Sequence, residues 1–344
     1  MEKEQSLLGK STKEKVLAAL EADKGRYVSG TGLAESASVS RTAIWKAIRS
    51  LRKSGYVIDA CPKRGYMLQP EKDVISEFSI KKFMHFYADE ITVRAFGRVS
   101  STNTVARNFA KRGLGQYTAI VAEEQTEGRG THGRKFFSPS GTGLYMSIIL
   151  RPDTKASDTT YITTAAAAAC AEAIESVFGV NVFIKWVNDI YFNDKKVCGI
   201  LTEGSFDPDG KGIEYAVLGI GVNVFRPVDD FPDELRGMAH WLADEPLCDI
   251  RSRLAAEILD RFIFYYKRLP EMAFMRSYKR RMFLTGREVE ISYDGKKTSA
   301  YVLGLTDDLR LEVKLKNGEI KKLSSGDVKL KVKQMKISDE DADE

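Results

Sequence analysis

The chain has 344 residues, 43% hydrophobic and 29% charged, which allows two or three globular domains at about 100–200 residues each. It has no apolar run near the roughly 18 residues of a membrane helix, and its start, MEKEQSLLGKSTKEK, lacks the apolar core of a secretory signal. A cytoplasmic protein without a membrane span is therefore expected. Four scattered cysteines (Cys61, Cys170, Cys198, Cys248) and three unpaired histidines (His85, His132, His240) argue against structural zinc and a His-rich metal site.

The net charge of +5 is unevenly spread. Residues 1–69 hold 13 Lys+Arg against 7 Asp+Glu, most of the excess lying in 40–66. In this module STKEKVLAALEA (11–22) predicts a helix capped by Ser11 or Thr12, and a second short helix fits 29–36. Ser40 then caps a third, RTAIWKAIRSLRKSGY, whose Ile44, Ala47, Ile48 and Leu51 repeat at helical spacing before Gly55 stops it. Two β-like runs, YVIDA and GYMLQ, flank the turn CPKRG. Helix, helix, basic helix and hairpin make the order of a winged helix-turn-helix, in which the third helix enters the major groove and the wing touches the backbone. Ser40, Arg41, Thr42, Trp45, Lys46 and Arg49 on the third helix, with Lys63 and Arg64 on the wing, are the candidate DNA contacts. A solvated basic face on a small bundle is the plainer alternative.

Residues 70–90 read as a linker. From 91 to 284, strands are predicted at 91–99, 117–125, 143–151, 181–186, 190–193, 197–204 and 214–224. Helices are predicted at 100–112 and 157–179, the latter capped by Ser157 or Asp158 around an alanine-rich core face. The irregular order predicts an α+β class with a central mixed sheet. Residues 128–133, GRGTHG, satisfy GxGxxG, yet RKFFSPSG follows where a dinucleotide fold needs a helix. A Walker A loop fails as well, because Lys135 stands one place late and Phe136 replaces Ser/Thr. What remains is a glycine-permissive loop with Arg129, Arg134 and Lys135, suited to an anionic group. FIKWVNDIYFNDKKVCGILTEG presents Lys185, Asn188, Asp189, Lys195, Lys196 and Gly199 around a hairpin. LGIGVNV sets two glycines before Asn223, and SSTN opens at Ser100. Taken alone, each has an ordinary explanation as a solvated turn or a helix cap.

From Thr285, apolar and polar residues alternate between turns at Asp294-Gly295, Asp307-Asp308 and Asn317-Gly318. That pattern predicts an SH3-like β-barrel of five or six strands over 285–335, followed by an acidic tail at 336–344.

In this order, SSTN, EGRGTHGRKFFSP, KWVNDIYFNDKKVCGIL and GIGVN resemble the biotin protein ligases, in particular the bifunctional type that is also a biotin operon repressor. The resemblance spans 11 to about 330. It implies a central ligase domain of the biotin/lipoate type that condenses biotin and ATP to biotinyl-adenylate, with Mg²⁺, and passes biotin to a lysine of a biotin carboxyl carrier protein. It implies that Lys196 contacts the biotin carboxylate and α-phosphate, with Arg134 and Asp189 as further catalytic candidates. Biotin contacts would be Ser101, Thr102, Asn103, Gln125, Arg129, Gly130, Thr131, Lys196 and Gly199, and ATP contacts Arg134, Lys185, Asn188 and Asn223. Asp189 would lie nearest the metal. It also implies operator DNA as a partner and a homodimer when adenylate is bound, for which GLYMSIILR and EYAVLGIGV are candidate sheet edges. One departure stands out: many members carry GRGRxGR, where this chain has Thr131 and His132. A lipoate-type ligase, a ligase-inactive biotin-sensing repressor and a monofunctional ligase with a non-regulatory winged domain remain the alternative readings.

Overall fold

The computed structural model describes residues 11–332 apart from 54, 71–72, 153–158, 207–211, 294–295 and 325–327. Helix α1 (Thr12–Ala22) starts at Ser11 in a reciprocal cap with Glu14, so that two otherwise orphaned N–H groups are satisfied. Helices α2 (Gly30–Ala37) and α3 (Arg41–Lys53) are capped by Ser29 and Ser40, whose hydroxyls accept from Gly32 N at 2.9 Å and Ala43 N at 3.2 Å. The predicted stripe Ile44, Ala47, Ile48 and Leu51 is buried against Val16, Leu17, Leu20 and Leu33. A Leu51→Ala cavity there would cost about 2–5 kcal/mol. Strands β1 (Ile58–Cys61) and β2 (Gly65–Leu68) form the hairpin, and Val28 pairs with Tyr66 beside it. Gly65 has φ +103°, and any Cβ there would collide with Val28 O, so only glycine fits this corner.

The segment expected as a linker carries helix α4 (Glu77–Phe83), capped by Ser76, with Ile75, Ile80 and Met84 in the core. Seven residues give too few turns for a visible period, and packing rather than propensity holds such a helix. Its anchor is Arg251, 2% exposed. Arg251 donates to Asp73 at 2.5 Å, to Glu123 at 2.8 Å and to the Asp73 carbonyl at 2.6 Å. One buried cation thus ties the connector to the end of a central strand.

The central sheet contains β3 (Thr92–Phe96), β4 (Thr118–Ala122), β5 (Gly143–Leu150), β6 (Phe183–Lys185), β7 (Asp189–Phe192), β8 (Lys195–Phe206) and β9 (Ile213–Asn223). Its order is β3-β4-β5-β9-β8-β7-β6, with β3 and β4 parallel and the other pairs antiparallel. The mixed sheet is as expected. The suggestion that β5 and β9 offer a free edge is wrong: both are central, and the edge strands of this sheet are β3 and β6. Both runs are apolar because both faces are covered, which periodicity alone does not distinguish from an edge.

On one face lie α6 (Thr159–Phe178), with Ala165 to Ala169 wholly buried, and α7 (Ile250–Lys267), which pack into the main core. The caps proposed for α6, Ser157 and Asp158, lie outside the described residues. On the other face α5 (Thr102–Lys111) sets Ala106 and Ala110 against Ile120, Ile149, Tyr215 and Val217. That helix covers only part of the face, and the open remainder holds the site. Helix α8 (Met275–Arg281) leads into β10 (Glu288–Tyr293), β11 (Lys296–Leu305), β12 (Leu311–Leu315), β13 (Ile320–Leu323) and β14 (Val328–Val332). These form an antiparallel sheet ordered β13-β12-β11-β10-β14. The Asp294-Gly295 turn and the acidic tail fall outside the described residues.

Candidate functional site

The first turn of α5 delivers Ser101, Thr102 and Asn103 to the floor of a cleft on the open sheet face, each at most 4% exposed. Their polar groups are paired in a defined direction. The Thr102 N–H and hydroxyl both donate to Gln125 Oε1, at 2.8 and 3.0 Å. Gln125 Nε2 donates to Ser138 Oγ at 3.0 Å, and Ser138 donates on to the Phe136 carbonyl at 2.9 Å. Asn103 Nδ2 donates to Glu203 at 2.8 Å, and Glu203 also accepts from Arg107 at 2.7 Å and from Arg129 at 3.4 Å. This end of the cleft has a floor of neutral, hydrogen-bonded groups, with the Glu203 carboxylate paired to arginines behind it.

The opposite end carries the cations. Lys196 Nζ lies 2.6 Å from Asp189 Oδ1, an ion pair that holds the ammonium over the cleft. Asn188 is braced by its Nδ2 donating to Ile200 O at 2.8 Å. Lys185 sits deeper on β6. Burial pulls its ammonium below the ordinary lysine range; Asp189 works against that shift, while Lys196 and Arg134 reinforce it. Three cations therefore feel one another around a single carboxylate.

The glycine-permissive loop folds as a hairpin, with Arg129 paired to Lys135, Gly130 N donating to Arg134 O at 2.8 Å and Phe136 N donating to Gly128 O at 2.9 Å. Arg134 is exposed and turns back on its own loop, donating to Thr131 Oγ1 at 3.0 Å. No helix follows, in keeping with the failed dinucleotide test.

Ten expected residues line this cleft together: Ser101, Thr102, Asn103, Gln125, Arg129, Gly130, Thr131, Asn188, Lys196 and Gly199. Arg134, Lys185, Asp189 and Asn223 are not among its lining; they sit around its cationic margin. Asp189 joins through Lys196. Asn223 donates to His240 O at 3.1 Å, and His240 N donates to Lys196 O at 2.9 Å. His240 stacks on Phe192 and abuts Trp241, and burial with Lys195 nearby lowers its pKa.

Sequence reasoning missed Phe136, Leu201, Gly219 and Gly221 in the wall and Glu203 behind it. The GIG spacing held the signal. Residues two apart share a strand face, and these two glycines make room for neighbours: a Cβ on Gly219 would collide with Asn103 Oδ1, and one on Gly221 would come within 2.7 Å of the Phe136 ring.

Far from the cleft, Arg41, Thr42, Trp45, Lys46 and Arg49 are exposed on α3 beside its cap Ser40, and Trp45 remains 52% exposed under the Arg49 guanidinium. Lys63 and the Tyr27-stacked Arg64 form the hairpin tip. A basic face flanked by a basic wing is a shape that fits a duplex.

Residues 12–67 match an HTH domain, 95–223 the Biotin/lipoate A/B protein ligase family and 284–331 the Biotin protein ligase C terminal domain. The bifunctional ligase/repressor BirA of Bacillus spizizenii (strain ATCC 23059 / NRRL B-14472 / W23) is 37% identical over 242 residues, 68% of this chain and 72% of that protein. The chain belongs to the biotin protein ligase family, in its bifunctional ligase/repressor branch. The Bacillus subtilis (strain 168) BirA is similar at 36% over 253 residues, 73% of this chain and 74% of that one. Among solved structures, a biotin protein ligase from Aquifex aeolicus in complex with biotin and ATP superposes with a TM-score of 0.59 at 27% identity, covering 70% of this chain and 99% of its own.

Proposed function

We propose that the protein is an ATP-dependent biotin protein ligase that forms biotinyl-5′-AMP and transfers biotin to a lysine of a biotin carboxyl carrier protein, and that it represses biotin genes when loaded. The observation that carries the ligase reading is a cleft with a neutral hydrogen-bonding floor at one end and Lys196 at the other. Biotin has matching ends, a neutral ureido ring and a carboxylate. A buried charge against the ring would be costly to desolvate, and the floor residues Ser101, Thr102, Asn103 and Gln125 are themselves neutral.

In the first step a biotin carboxylate oxygen bonds to the α-phosphorus of ATP as the bond to the β-phosphate oxygen breaks and pyrophosphate leaves. Two anions must meet. Lys196, with Lys185 and the loop arginines, supplies positive charge where negative charge accumulates. In the second step the carrier lysine nitrogen bonds to the biotinyl carbonyl carbon, the bond to AMP breaks, and the nitrogen gives up a proton. Arg129, Gly130, Thr131 and Arg134 lie on a loop able to close over the mixed anhydride and exclude water.

Among the described residues no group of three or more His, Cys, Asp or Glu could hold a metal. Asp189 supplies one carboxylate, which suits Mg²⁺ carried chiefly by ATP phosphates; bound there, the ion would neutralise phosphate charge. Among the described residues no helix is long and apolar enough to cross a membrane. The exposed basic face of α3 and the wing would bind operator DNA, and adenylate-bound copies would pair as a homodimer.

Incubation of the full chain with MgATP, an unmodified carrier domain and either biotin or lipoate tests this, with intact mass of the carrier as readout. A biotin-sized gain supports the ligase. A lipoate-sized gain would move the chain to the lipoate type, and no gain with either acid would leave a sensing repressor. Operator binding should be saturable, salt-dependent and strengthened by biotin plus ATP.

A further inference from the structure

Ser147 lies in the middle of β5 among the apolar residues of GLYMSIIL, and it is completely buried. Its hydroxyl donates in three-centre fashion to Thr102 Oγ1 at 2.7 Å and to Asn103 Oδ1 at 2.6 Å. Opposite it on β9 stands Gly219, whose missing side chain leaves the space that Asn103 Oδ1 occupies. This cross-strand pair forms a seat: Gly219 gives room and Ser147 gives the donor.

The direction of every bond beyond the seat is then determined. Glu203 only accepts, so Asn103 turns Nδ2 to it and Oδ1 to Ser147. Thr102 accepts from Ser147 and spends its proton on Gln125 Oε1, which also takes the Thr102 N–H and is saturated. Gln125 therefore has only a spare Nε2–H to offer the cleft, and Thr102 only a lone pair. A donor beside an acceptor complements the C=O and N–H of a ureido ring, and it has nothing to pair with in a dithiolane ring.

We infer that Ser147 is a positioning residue that sets the donor–acceptor polarity of the cleft and thereby selects a cyclic urea over a dithiolane acid. This rests on the ligase reading above. Its physical basis is that a site with committed polar groups rejects a ligand that leaves them unpaired far more strongly than an apolar site rejects a misfit.

The test is pyrophosphate release by the full-length protein with biotin or lipoate and MgATP, comparing wild type, Ser147→Ala and Ser147→Cys. Ser147→Ala should raise KM for biotin about tenfold, as expected when a buried, orienting three-centre hydrogen bond is lost. It should leave KM for ATP nearly unchanged, lower the melting temperature by the few degrees that a buried acceptor left unpaired costs, and narrow the preference for biotin over lipoate. Ser147→Cys, with its weak donor, should fall between the two. If the KM values for biotin and ATP rise together, or if biotin KM does not move, the inference is overturned. Should Ser147→Ala not fold, the cysteine variant carries the same comparison. A wild type inactive on biotin would instead overturn the ligase reading.

Discussion

The two ends of the cleft are built in opposite ways. At the neutral end, Thr102, Asn103, Gln125 and Ser138 are buried or half-buried and hydrogen-bonded, Asn103 to the Glu203 carboxylate behind the floor. At the cationic end, Arg129 is half exposed on a weak contact to Glu203, and Arg134 bonds only back to its own loop. Under the proposed function, the end that would read the ring is already hydrogen-bonded without ligand, whereas the end that would read the phosphate keeps arginines on an exposed loop. The reason is energetic. Neutral groups satisfy one another cheaply in the dry interior, whereas at the other end burial lowers the Lys185 pKa against the pull of Asp189, and Lys196 and Arg134 add to the shift.

The sharpest way to break the contrast is Lys196→Ala. It removes the charge that the proposed mechanism sets at the reacting groups and should reduce biotin transfer by about 100- to 1000-fold, read as carrier mass gain, with biotin-ring affinity far less affected. A smaller loss is expected from Gly219→Ala, whose methyl displaces Asn103 from its seat; overpacking of about 1–3 kcal/mol should appear in biotin binding by calorimetry and not in ATP binding. At the open end, Thr131→Arg should slow release of biotinyl-adenylate several-fold by adding a cation above the phosphate, worth about 1 kcal/mol. Release indistinguishable from wild type would show that loop charge does not retain the adenylate.

The smallest effect concerns pH. Because the Lys185 pKa is lowered, its charge is lost at lower pH than that of an ordinary lysine, so KM for ATP should climb earlier on the alkaline side. In Lys185→Arg that early climb should vanish. The sign for folding is opposite: the unfolded chain keeps the proton longer, so the ligand-free protein should gain stability as pH rises through that range.

Much of this was legible in the chain. Helix α3 showed its face through Ile44, Ala47, Ile48 and Leu51, and SSTN, GRGTHGR and KWVND marked where polar groups interrupt the apolar pattern. What stayed hidden depends on strand order. Ser147 reads as one polar residue in a hydrophobic strand until β9 is placed beside it, and β5 reads equally well as centre or edge. Helix α4 was invisible because it is short, and Arg251 because its partners, Asp73 and Glu123, lie over 120 positions away.

That buried arginine changes what the basic module can do. Asp73 and Glu123 share one guanidinium, and Lys24 of the winged helix lies 2.8 Å from Asp249, so both the connector and the basic module are tied by ion pairs to the central body. Were two copies to pair as proposed, those contacts would set the spacing and angle of their basic α3 helices, so that the operator would be measured like the gap of a fixed caliper.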